Sequence, residues 1–311
     1  MTRTALVIGC GGTIGGAWII ATLKALADES GFDPAQASVV QGTSAGAELL
    51  TILGGGATVD DLVAMQREES DDPRLRRHLE NTPSGRPPLP RLPLLNPSLL
   101  KTQSGLAALT GLVPRGTGSQ AWLQQLADDF TDSTGHLARP VRMVAYDYQR
   151  GERVAFGAPD APPATVSEAL RASWAIPGWM RPVTIGTRSF VDGGAASTAS
   201  VDLISPADAD RIIVLAPMAS DPGVRVPGLG GVLEDRVIRR PMSATLAAEI
   251  ATARARGQHV VPILPSAADL AGLGAHFMLR SRRRRAFESA MRTAPTTVRA
   301  ALEAEAAAQD R

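Results

Sequence analysis

Short apolar runs and amphipathic stretches alternate along the opening of the chain. Thr4 to Gly9 (TALVIG) is an apolar, β-branched run closed by glycine, which predicts a buried strand. Cys10 to Gly16 (CGGTIGG) predicts a glycine-rich turn. Ala17 to Glu29 carries Trp18, Ile19, Leu23 and Leu26 at helical spacing, which gives one apolar face. Ser38 to Gln41 predicts a second short strand and Ala45 to Leu53 a second helix. Thr58 to Glu69 predicts a polar-faced helix whose Thr58-x-x-Asp61 opening has the form of a capping box. The order β-loop-α-β-turn-α is that of a parallel sheet covered by helices.

The pattern breaks between residues 70 and 119. Pro83, Pro87, Pro88, Pro90, Pro93 and Pro97 crowd this stretch, interleaved with the apolar pairs Leu94-Leu95 and Leu99-Leu100. An insertion of this kind in an α/β fold reads either as a functional lid or as a surface excursion. Strand-like runs resume at Val141 to Tyr146, Arg153 to Phe156, the run ending in Phe190-Val191, Arg211 to Ala216 and Val260 to Leu264, with a short helix at Ser167 to Ser173. Two helices, Ala275 to Arg292 and Thr296 to Gln309, are predicted to close the chain, and no internal repeat is evident.

Composition narrows the class. The 311 residues carry 32 Lys+Arg against 31 Asp+Glu, a net charge of +1, so no global field draws nucleic acid. One cysteine supports neither an internal disulfide nor a cysteine zinc site. No apolar run reaches the ~18 residues of a membrane span, and Ala5 to Ile8 is too short for a signal-peptide core. The expectation is a cytoplasmic protein with a single α/β domain over residues 1–311.

Candidate chemistry begins at Gly42-Thr43-Ser44-Ala45-Gly46, a G-x-S-x-G between a predicted strand and a predicted helix. Such a turn holds serine in strained backbone geometry and lifts its hydroxyl above the sheet edge. A serine nucleophile needs a base and an oxyanion hole. None of His78, His136, His259 and His276 has a local catalytic signature. Phe190-Val191-Asp192-Gly193-Gly194 puts a carboxylate at the end of a strand, where sites of open α/β sheets assemble, although an Asp-Gly turn reads equally well. Gly9 to Gly16 is not G-x-G-x-x-G, because position 14 is Ile, and lacks the Lys-Ser/Thr of a P-loop. It resembles the opening of bacterial asparaginases, but their His-Gly-Thr-Asp is replaced by Gly-Thr-Ser-Ala. What remains is a set of backbone N–H groups at a helix N-terminus, open to an anion.

Together, the glycine loop, G-x-S-x-G and the later Asp-Gly-Gly resemble the patatin-like phospholipase family. Ala172-Ser173-Trp174-Ala175-Ile176-Pro177-Gly178 and Ala207-Asp208-Ala209-Asp210 extend the resemblance, which covers about residues 4–60 and 140–217. It implies a three-layer α/β/α sandwich with a mainly parallel central sheet, residues 70–119 as a lid-like insertion, and helices at 275–311 outside the resemblance. It implies Ser44 as nucleophile, Asp192 as base, and Gly11, Gly12 and Thr13 as oxyanion-hole donors, acting on a lipid or lipid-like ester without cofactor or metal. Two positions depart from the family: Ile14 stands where a basic residue is usual, and Ala195 to Ser200 replaces the usual Asn and Pro. Open alternatives are an acyltransferase using the same acyl-enzyme, a Ser-His-Asp hydrolase using His259 or His276, and a non-catalytic lipid-binding member of the fold.

Other features have plainer readings. Cys10 reads as a small buried residue in the loop. Trp174, Trp179 and Met180 read as core, or as the lining of an acyl pocket. Arg280, Arg282, Arg283, Arg284 and Arg285 read as a solvated helix face, or as a patch for an anionic membrane surface.

Overall fold

The computed structural model describes residues 2–83, 91–102 and 105–309. The first half runs β1 (Thr4–Ile8), α1 (Gly12–Ser30), β2 (Val39–Thr43), α2 (Ala45–Gly54), α3 (Val59–Arg67) and α4 (Pro73–Asn81). The proline-rich stretch contributes β3 (Arg91–Leu94), α5 (Leu99–Thr102), α6 (Gly105–Thr110) and β4 (Pro114–Arg115). Then come α7 (Ala121–Phe130), β5 (Arg142–Asp147), β6 (Glu152–Phe156), α8 (Val166–Ser173), β7 (Val183–Ile185) and β8 (Arg188–Asp192). The chain ends with β9 (Arg211–Leu215), α9 (Gly228–Glu234), α10 (Arg240–Ala255), β10 (His259–Ile263), α11 (Ala267–Leu273) and α12 (Arg283–Gln309).

The apolar runs pair as parallel neighbours in the order β10-β9-β1-β2-β5. The antiparallel β6 lies along β5 from Met143 to Asp147. A strand has two edges, so β2 and β8 share the other one. β2 pairs with Arg142 to Val144 of β5, and the antiparallel β8 pairs with Ala145 to Asp147. The two strands therefore run toward each other, and their carboxyl ends meet: Thr43 is opposite Val144, and Asp192 is opposite Ala145. β7 flanks β8. The mixed sheet is thus mainly parallel, with helices on both faces.

Alternation along the strands sorts the core. Leu6, Ile8, Ile213 and Leu215 face α1, α2 and α12, while Ala5, Val7, Ile212 and Val214 face Leu246, Ile250 and Ala253 of α10. On this second face, Tyr146 and Val191 pack against Leu95, Leu99 and Ala107 of the inserted segment. The described part of the insertion is therefore a layer of the fold over β5 and β8, not a detached excursion. Its opening is helical: Asp72 caps α4, Pro73 starts it, and Leu75 and His78 bury its inner side. Residues 84–90, which hold three of the prolines, lie outside the described residues.

Several boundaries differ from the sequence pattern. The glycine loop is shorter than predicted, because α1 already begins at Gly12. The two predicted C-terminal helices are one, α12, with Pro295 inside it, and its start at Arg283 leaves the predicted helical stretch from Ala275 largely irregular. Pro295 lacks an N–H, so the helix tolerates it by giving up one intrahelical bond. Strand β7 was not predicted, since three residues between turns carry little periodicity.

Ser197 and Ser200 stiffen the segment after Asp192. Ser197 Oγ accepts the Ser200 N–H at 2.9 Å, and Ser200 O accepts Gln41 Nε2 at 2.9 Å. Further along, Arg153 of β6 bridges Asp202, at 2.7 and 2.9 Å, and Glu249 of α10, which itself accepts the Val201 N–H at 3.0 Å. Removing one partner of such a buried pair leaves the other charge uncompensated, at a cost of about 3–5 kcal/mol. Arg153→Ala is expected to lower stability by about 3 kcal/mol in urea unfolding monitored by circular dichroism. An unchanged unfolding midpoint would show that Glu249 is not held by this pair.

Candidate active site

The head-to-head meeting of β2 and β8 explains the centre of the cavity. Ser44 is the residue after β2, and its backbone takes φ 56° and ψ −117°, one of three non-glycine residues with positive φ among those described. Such a conformation costs about 1–3 kcal/mol and persists only where the surroundings enforce it. Here α2 turns back tightly over β1: a Cβ at Gly46 would lie 2.2 Å from Ile8 O. Ser44 N–H is also tied down, donating to Ser173 Oγ at 2.9 Å, and the Ser173 hydroxyl donates to Val144 O at 2.7 Å.

Asp192 approaches from the other strand. Its N–H donates to Ala175 O at 3.0 Å, and its Oδ1 accepts Gly194 N–H at 2.8 Å. The chain then crosses β5 toward β2: a Cβ at Gly193 would lie 2.7 Å from Val144 O and 3.1 Å from Thr43 Cγ2. The Ser44 side chain stands beside the carboxylate and lowers its pKa by hydrogen bonding, though without the short, well-aligned geometry that Gly194 provides. Hydroxyl–base contacts in empty sites commonly tighten only when substrate binds. Burial dominates, and raises the Asp192 pKa from 3.8 to about 7 against the Ser44 and Gly194 hydrogen bonds.

The glycine loop completes the arrangement. Gly11, Gly12 and Thr13 N–H have no acceptor among the described residues, whereas Cys10 N–H donates to Thr198 O at 2.8 Å and Ile14 N–H to Phe277 O at 2.9 Å. Gly12 has φ 56°, and a Cβ there would meet Met278 Sδ at 2.7 Å. A side chain at this position would therefore be both strained and clashing. Cys10 is buried, and burial, then the nearby Asp192 charge, push its thiol up to about 12, so it stays protonated.

These groups open on a cavity of about 350 Å³ lined by Cys10, Gly11, Gly12, Ser44, Asp192 and Gly194 on its polar floor. Thr13 is not part of the lining, and its hydroxyl is buried without a partner. The walls are apolar: Leu109 and Val113 of the insertion, Ile176 and Met218, Ile238 and Met242. A larger hollow, of about 610 Å³, opens at the amino ends of the strands beside Lys24, Val39 and Arg139, remote from Ser44.

None of the four histidines lines the cavity. His78 is buried, with Nε2 2.9 Å from Glu48 Oε1 and its ring stacked on Trp122. Trp174 packs edge-on against Trp122 and Met180 packs against the insertion at Gly118; neither these two nor Trp179 lines the cavity, whereas Ile176 and Pro177 do. The arginine run does not make one charged face. Arg280 donates to Leu79 O, Glu80 O and Thr82 O, closing the C-terminus of α4. Arg283 is buried against Gln66 and Glu68, and only Arg284 and Arg285 are exposed, Arg284 beside Glu288.

Ser173, which ties down the Ser44 backbone, is not singled out by the sequence pattern. It lies inside the Ala-Ser-Trp-Ala-Ile-Pro-Gly motif, which was legible, but its contact with Ser44 spans 129 positions and carries no local signal. The wall from Met218 and from Ile238 to Met242 was missed for the same reason.

The sequence matches the family model for patatin-like phospholipase over residues 6–204. No curated protein matches it. Among solved structures it is similar to VipD from Legionella pneumophila, with 14% identity, a TM-score of 0.41, and coverage of 95% of this chain and 67% of that one. It is also similar to the type III effector protein ExoU, with 13% identity and a TM-score of 0.38, covering 96% of this chain and 53% of that one, about half its length. The family match spans well over half of the chain, reaches both Ser44 and Asp192, and carries with it lipid acyl hydrolysis in general. The chain belongs to the patatin-like phospholipase family.

Proposed function

We propose that this protein is a serine acyl hydrolase that cleaves carboxylic esters of lipid or lipid-like substrates through Ser44 and Asp192. The observation that carries the reading is the meeting of a strained serine and a buried carboxylate at facing strand ends, beside N–H groups that have no acceptor among the described residues. Ser44 Oγ attacks the ester carbonyl carbon while Asp192 takes the hydroxyl proton. The tetrahedral oxyanion accepts hydrogen bonds from the N–H groups of Gly11 and Gly12, which line the cavity as Thr13 does not. As the intermediate collapses, Asp192 returns the proton to the departing alcohol, leaving an acyl-serine. Water, deprotonated by Asp192, then releases the carboxylic acid and restores Ser44. The apolar walls suit an acyl chain. A pKa of about 7 makes Asp192 a stronger base than an exposed carboxylate, which offsets the lack of imidazole.

Ser44→Ala is expected to abolish hydrolysis of short p-nitrophenyl esters and labelling by a fluorophosphonate probe; retained turnover would remove Ser44 as nucleophile. With Asp192 as base, kcat/KM should rise with pH through about 7 and level off above it. A profile flat from pH 5 to 9 would exclude that role.

The same shift has a stability sign. The folded-state pKa of about 7 exceeds the ordinary 3.8, so the folded form holds its proton more tightly. This contribution is complete below the ordinary value and is lost as pH rises through about 7. Asp192→Asn should therefore raise the Tm most at pH 8, by the equivalent of at most ~4 kcal/mol, and less at pH 5. A stabilisation independent of pH would contradict the buried charge.

Ser173 is proposed as a positioning residue. Ser173→Ala strips the acceptor from Ser44 N–H and should lower kcat by roughly 10- to 100-fold at nearly constant KM, with partial rescue by Ser173→Thr. Equal losses in the two variants, or a change confined to KM, would argue against it.

A further inference from the structure

Two apolar rims frame the mouth of the Ser44 cavity. One is α6 and the residues after it, where Leu109 and Leu112 are exposed. The other is α9 with its continuation toward α10, where Leu229 is 91% and Leu233 66% exposed and Val237 is half-exposed. The last three recur every four residues and so form one stripe on a helix face. Leu109 and Val237 also line the cavity, which makes the outer apolar surface continuous with the wall leading to Ser44. Contiguous exposed apolar surface of this kind marks an interaction site.

Charge around the stripe selects the partner. Arg225, Arg236 and Arg240 are exposed beside it. Of the acids nearby, Glu234 is buried against Arg239 at 2.9 Å and Asp235 pairs with Arg240 at 2.9 Å, while Asp221 is exposed in a hollow that Arg240 lines and the stripe's leucines do not, and leaves the arginines in excess. Arg225 and Arg236 have no acidic partner among the described residues. An apolar helix face flanked by arginines is the pattern that inserts leucine at a headgroup boundary while guanidinium groups meet anionic lipid. The arginines at 280–285 do not offer this combination, because Arg280 and Arg283 are engaged with α4, Gln66 and Glu68, leaving only Arg284 and Arg285 exposed.

We propose that α9, with α6 facing it across the cavity mouth, is the surface by which this protein docks on an anionic lipid surface, so that an ester in that surface enters the cavity without crossing water. The purpose of the docking rests on the hydrolase reading above; the docking itself is measurable without turnover. The experiment is cosedimentation of the full chain carrying Ser44→Ala with vesicles of phosphatidylcholine alone and of phosphatidylcholine with phosphatidylglycerol. Binding should be stronger to the mixed vesicles. Leu229→Ser with Leu233→Ser should weaken it ~10-fold or more, and Arg225→Ala with Arg236→Ala should abolish the preference for phosphatidylglycerol. In the Ser44 background, both double variants should keep the kcat/KM of the parent on soluble p-nitrophenyl acetate, which also verifies their folding. Absent vesicle binding, binding indifferent to the leucines, or a dimer in sedimentation that the leucine variant dissolves would overturn the proposal, the last by assigning the stripe to a second copy. If vesicle binding follows the leucines but the Ser44 protein does not turn over the soluble ester, the docking surface stands and the hydrolase reading falls.

Discussion

The edge of β5 is the constraint on which the site depends. β6 occupies the opposite edge along Met143 to Asp147, so β2 and β8 have to divide what is left. Because one is parallel and the other antiparallel to β5, their carboxyl ends point at each other at the level of Val144 and Ala145. Sheet register, rather than loop conformation, thereby sets the spacing of Ser44 and Asp192. The end of α8 and the residues just after it then tie both: Ser173 Oγ holds Ser44 N–H and Ala175 O holds Asp192 N–H. A group held by regular elements is placed more tightly than one on a free loop.

That arrangement works against stability in two ways. Ser44 carries a backbone conformation that side chains avoid, and Asp192 is buried with no cationic partner among the described residues; burial pushes its carboxyl up to about 7. Both costs fall on the floor of the cavity that Ser44 and Asp192 line. The surroundings offset them with a dense apolar core on both sheet faces and with the Arg153 bridge behind the segment that follows Asp192. Burial acts on Cys10 as well, and there it silences the thiol.

The parts legible in the sequence are those whose signal is local. TALVIG, the G-x-S-x-G after a strand, and Asp-Gly-Gly at a strand end each announce backbone geometry in a few residues. What was not legible depends on distant pairing. No local pattern says that β8 runs antiparallel onto the edge β2 occupies, or that Ser173 meets Ser44. The insertion read equally as a lid or as a surface excursion because prolines obscure periodicity; Leu95, Leu99 and Ala107 find Tyr146 and Val191 on the sheet. The arginine run is divided in a way no local pattern signals: α12 begins only at Arg283, so Arg280 turns back to α4 while Arg284 and Arg285 stay exposed.

The most direct test of the account is a crystal structure of the protein after reaction with a fluorophosphonate. The account predicts phosphorus bonded to Ser44 Oγ, the phosphoryl oxygen within hydrogen-bond distance of Gly11 and Gly12 N–H, the Asp192 carboxyl beside Ser44 Oγ, and the alkyl group between Ile176, Met218 and Ile238. An adduct on another residue, or a phosphoryl oxygen directed away from the glycine loop, would contradict it.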